Sequence, residues 1–81
     1  MHVQKPAKYL VLIESGGAMV ARLFDAQRSP LAEIDATSEE VAVMTEGVVP
    51  RRGAEEDLWG RVLAGHSREE REAALVFELD P

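Results

Sequence analysis

With 81 residues, no cysteine and a formal charge of −6, the chain has room for one thin-cored domain and excludes disulfides, thiolate metal sites and a cysteine nucleophile. Hydrophobic residues make up 46% and charged residues 30%, which is more apolar material than a disordered chain carries. Residues 1–40 hold four basic and six acidic side chains and residues 41–81 hold five and nine; this balance argues against a nucleic-acid binder of the usual basic kind and against docking on an anionic membrane.

The compartment expected is the cytoplasm. A small secreted domain of this size ordinarily needs disulfides, and the apolar run Tyr9–Ile13 meets Glu14 too soon for a signal peptide or a membrane span. Seven arginines against two lysines, with no asparagine, suggest a GC-rich, bacterial coding sequence.

Residues 1–7 read as a tail and residues 8–81 as a single domain. From Tyr9 the chain is continuously apolar to Ile13, so both faces of this strand are expected to be covered and the strand to lie centrally in a sheet. Gly16-Gly17 supplies the positive φ angles of a tight hairpin. Ala18–Asp25 then alternates, with Met19, Ala21 and Leu23 on one side and Val20, Arg22 and Phe24 on the other. Gln27-Arg28-Ser29-Pro30 is a turn signal. A third strand, Leu31–Ala36, has a polar face that suits a sheet edge.

Thr37 and Glu40 fit a capping box opening a short helix, with Val41, Met44 and Val48 at helical spacing and Gly47 as its stop; a strand through Val41–Met44 is the alternative. Val48–Gly53 reads as a loop. Glu55, Glu56 and Asp57 complement the positive end of a second helix, whose buried stripe would be Leu58, Trp59, Val62 and Leu63. Ser67 and Glu70 repeat the capping-box pattern and open a further helical piece through Ala74. Leu75–Leu79 alternates again, with Leu75, Phe77 and Leu79 inward, and is expected to return to the sheet. The fold class is therefore α+β: an antiparallel sheet of about four strands in β-β-β-α-α-β order, with the helices packed on one face. A three-strand meander followed by a helix also opens ribonuclease-H-like folds, but those need further strands and an acidic cluster that 81 residues do not provide, so the likeness concerns topology alone and implies no activity.

No catalytic residue is assigned. Gly16-Gly17 leads into a strand rather than a helix and lacks the partners of a phosphate loop. Consecutive acids on a helix diverge by about 100°, so Glu55, Glu56 and Asp57 cannot share an ion; no metal and no cofactor is expected. Arg51 and Arg52, ahead of a helix start, are candidates for an anionic ligand, against the simpler reading that they pair with Glu55 and Glu56. His66 is a candidate for the same site, against a surface or capping role. Phe24 and Trp59 are interface candidates, although a domain this small needs its large side chains in the core.

Three functions follow. The first is a protein–protein interaction or regulatory module whose partner is another protein or a second copy. The second is an acidic inhibitor, of antitoxin, immunity or phage type, occupying a basic partner. The third is a small anionic-ligand binder at Arg51, Arg52 and His66, which requires the three to converge. Enzyme activity is not expected.

Overall fold

The computed structural model describes residues 6–54, 59 and 61–79. Five strands and two helices follow one another along the chain: β1 Tyr9–Ser15, β2 Ala18–Phe24, β3 Pro30–Asp35, α1 Glu39–Thr45, β4 Arg51–Arg52, α2 Arg68–Ala73 and β5 Leu75–Glu78. The strands form one antiparallel sheet in the order β3-β2-β1-β5-β4.

The run at Tyr9–Ile13 takes the central place its continuous apolarity predicts. Pairing with β2 sets Tyr9 opposite Phe24 and Val11 opposite Arg22, and pairing with β5 sets Leu10 opposite Phe77. Because strand side chains alternate, β1 feeds two cores. On one face Val11 and Ile13 pack with Phe24, Ala54, Trp59, Leu63 and Ala74. On the other, Leu10 packs with Ala21, Val41, Phe77 and Leu79.

Gly16 and Gly17 have φ of 61° and 89°, the doubly positive pair of a two-residue hairpin turn between Ser15 and Ala18. The β2–β3 connection is built by Asp25. Its buried carboxylate accepts the N–H groups of Gln27 and Ser29, each at 2.9 Å, and Arg28 between them adopts φ 63°.

Residues 39–45 are helical, and the cap is Ser38 rather than Thr37: the Ser38 hydroxyl accepts the Glu40 N–H at 3.2 Å. Thr37 instead donates to Asp35. Val41 is buried and Met44 and Val48 half-buried on the Leu10 face, as the helical spacing predicts.

Four expectations are corrected. The sheet has five strands, not four, because Arg51 and Arg52, read as loop, pair with Val76 and Leu75. The helices do not share a face. While α1 covers the Leu10 side, Trp59 and Leu63 cover the Val11 side together with Ala74, the C-cap of α2. The helix expected to carry the Trp59–Leu63 stripe is not formed over residues 61–65, which are turns; Glu55–Leu58 lie outside the described residues. Among the described residues a helical hydrogen bond runs there from the Leu63 N–H to the Trp59 carbonyl at 2.9 Å. It still brings both side chains into the core. Val76, expected outward, is half-buried against that same core, so β5, like β1, is covered on both sides.

α2 has the predicted capping box. Ser67 accepts from the Glu70 N–H at 3.1 Å, and Glu70 accepts from the Ser67 N–H at 2.9 Å.

Candidate interaction surface

The sheet order leaves β3 at one margin and β4 at the other. β4 is two residues long, so it exposes little ladder. β3 is six residues long, exposed at every position but one, and on its outer side it has no strand partner among the described residues. Such an edge presents unpaired N–H and C=O groups at the spacing of a sheet. Pro30 removes the first donor.

Charge is unevenly divided around this margin. Between Arg28 and Arg51 the chain carries Glu33, Asp35, Glu39, Glu40 and Glu46 and no Lys, Arg or His. The β3–α1 unit is thus an uninterrupted acidic stretch. Glu33 lies opposite Arg22, but the side-chain contact is long, 3.9 Å, and the Glu33 side chain stays 60% exposed, so little of its charge is neutralised. Asp35 is held ionised: the Thr37 hydroxyl at 2.6 Å and its N–H at 2.7 Å keep the carboxyl below its ordinary range. Apolar side chains stand among these acids. Leu31 on β3 is 40% exposed and Val43 on α1 is 67% exposed. A shallow, open concavity of about 340 Å³ lies over Glu39, Glu40, Val43 and Met44 of α1.

The sequence-derived candidates fall elsewhere. Arg51 and Arg52 are both exposed on β4. As successive strand residues they leave on opposite faces, which does not suit a clamp on one anion. Glu55 and Glu56, their expected partners, lie outside the described residues. His66 is not brought to them. Its Nε2 lies 3.3 Å from Arg22 Nη1, its Nδ1 3.3 Å from the Glu14 carbonyl and 3.4 Å from Glu70 Oε1. Arg22 stands on β2, three strand intervals from β4, about 14 Å at the usual spacing. His66 therefore joins β1, β2 and α2 rather than an arginine cleft.

Phe24 and Trp59 are both buried and meet edge-to-face with centroids 5.0 Å apart; Tyr9 meets Trp59 at 5.4 Å. Arg28 lies over the rings of Tyr9 and Trp59, 4.8 and 5.2 Å from their centroids. Phe24 and Trp59 are core, and the partly buried Tyr9 packs against them beneath the guanidinium.

Among the described residues no group of three His, Asp or Glu side chains converges as a metal site, and no helix is long and apolar enough to cross a membrane. The acidic stretch is legible in the sequence as the interval between Arg28 and Arg51, which holds five acids and no base, although the charge of either half of the chain does not reveal it. Compared with protein-family models, curated proteins and solved structures, the chain matches none.

Proposed function

We propose that this protein is a protein–protein interaction module that uses the β3 margin and the adjoining α1 as its contact surface, and that it is not an enzyme. The observation that carries this reading is the six-residue edge of β3, open on its outer side among the described residues. Unpaired strand edges are readily extended by another chain. The exposed Leu31 adds apolar area on the edge itself.

A photo-crosslinking residue in place of Leu31, in the cell that produces the protein, tests the surface. The expected result is a light-dependent adduct from position 31 that is absent when the same residue replaces Glu69 on α2. Adducts from position 69 and none from 31 would remove the β3 surface. Light scattering on the purified 8.9 kDa chain decides whether the partner is a second copy.

The acidic-inhibitor reading is favoured by a separate observation, the base-free acidic stretch from Glu33 to Glu46. A protein with a basic docking site would find complementary potential there.

A further inference from the structure

Resting on the interaction reading above, and adding the partner's chemistry to it, we infer that the open edge of β3 takes up an extended basic segment of another polypeptide as a sixth strand. In strand addition the main-chain ladder provides affinity and the alternating side chains select the partner. The ladder available here begins at Leu31, since Pro30 has no N–H.

Selection comes from charge. Glu33 and Asp35 leave β3 on one face, opposite Arg22 and Val20, while Ala32 and Ile34 leave on the other, opposite Leu23 and Ala21. A strand laid against β3 would therefore meet carboxylates on its first face and small or apolar side chains on its second. Lys or Arg at alternate positions, with Val, Ile or Leu between them, answers both. Glu39, Glu40 and Glu46 stand on the following helix, which covers the other face of the sheet, that of Ile34, so acids lie to both sides of the edge.

The same charges disfavour a second copy. Two β3 edges paired about a two-fold axis would bring Glu33 and Asp35 of each chain against those of the other, and like charges across a ladder destabilise it. Acids on an edge strand that starts with proline block self-pairing, and a basic strand relieves that repulsion.

The test uses the intact ¹⁵N-labelled chain and two capped hexapeptides, Lys-Val-Arg-Val-Lys-Val and Glu-Val-Glu-Val-Glu-Val. The basic peptide is expected to shift the amide signals of Leu31–Asp35 and slow their hydrogen exchange. Its affinity should fall about tenfold between ~0.02 and ~0.3 M salt, where screening shortens the reach of surface charge. The exposed triple substitution Glu33→Gln, Glu39→Gln, Glu40→Gln should weaken it about fivefold.

Equal or tighter binding of the acidic peptide, binding indifferent to salt and to the triple substitution, or signal changes confined to other strands would overturn the basic-strand assignment. So would a doubled solution mass with the β3 amides already protected, since the edge would then belong to a second copy. None of these outcomes touches the crosslink from position 31, which stands or falls with the interaction surface itself.

Discussion

Arg22 donates from Nη1 to Nε2 of His66 across 3.3 Å, and this contact selects between the two tautomers of the neutral imidazole. Arginine has no acceptor, so Nε2 must present its lone pair. The proton then sits on Nδ1, which faces the Glu14 carbonyl at 3.3 Å and Glu70 Oε1 at 3.4 Å. One side chain, 7% exposed, thereby links β2, the end of β1 and the first turn of α2. Nitrogen NMR at neutral pH should find the Nδ1–H tautomer; a proton on Nε2 would contradict the geometry. His66→Phe keeps an aromatic ring and deletes the polar contacts, and should cost about 1–2 kcal/mol in urea unfolding.

Asp35 gives the protein a local acid sensitivity. The Thr37 hydroxyl, the larger cause, and the Thr37 N–H both bind its ionised carboxylate and hold the carboxyl below its ordinary value. A depressed folded value means that the contribution is fully present above the unfolded carboxyl value, near ~3.9, and is lost as pH falls through the lower folded one. Thr37→Ala should move the Asp35 titration up toward the ordinary range, read from its carboxyl carbon shift. It should leave stability at pH 7 slightly reduced and the difference smaller at acid pH. An unchanged titration would show that the hydroxyl is not bound.

Elements whose own residues dictate their state could be read from sequence. The continuous run Tyr9–Ile13 named a central strand because only a strand covered on both sides can be apolar at successive positions. Gly16-Gly17 named the hairpin, and Ser67 with Glu70 named a helix start, because each motif closes its own hydrogen bonds. What failed depended on distant partners. Arg51-Arg52, following Pro50, has no strand signature; it becomes β4 because β5 offers a free edge. The periodicity of Val41 and Met44 shows that a helix has an apolar stripe but not which sheet face receives it. The periodicity of Trp59 and Leu63 does place both in the core, and among the described residues a helical hydrogen bond from Leu63 to Trp59 joins them, although residues 61–65 are turns. His66 gave no sign of its partner, 44 residues away.

Arg28 combines two opposed contributions that substitutions can separate. Its φ of 63° strains any residue with a Cβ. Its guanidinium, stacked over Tyr9 and Trp59, returns cation–π attraction of about 0.5–2 kcal/mol, while its buried Nε has no hydrogen-bond partner among the described residues. Arg28→Ala keeps the strain and loses the stacking, so it should be the more damaging change. Arg28→Gly loses the stacking but relieves the backbone, and should be more stable than the alanine variant by about 1 kcal/mol. An alanine variant equal to glycine in thermal unfolding would mean that the turn relaxes out of the left-handed region.

The β1–β2 hairpin carries a reserve of stability. Gly16 has φ 61°, and a Cβ built there meets nothing within 4 Å, so space does not require glycine at this position. Asparagine adopts left-handed angles more readily than other non-glycine residues, and Asn-Gly is the favoured pair for this turn. Gly16→Asn should therefore stabilise the protein by about 0.5 kcal/mol through lower entropy of the unfolded chain. Gly16→Val meets the same open space but pays for a β-branched side chain at positive φ, and should destabilise by more than about 1 kcal/mol. Because Gly16 points at no neighbour, the difference between the two variants isolates backbone conformation from packing. Equal unfolding midpoints for both would show that the turn does not keep its doubly positive geometry.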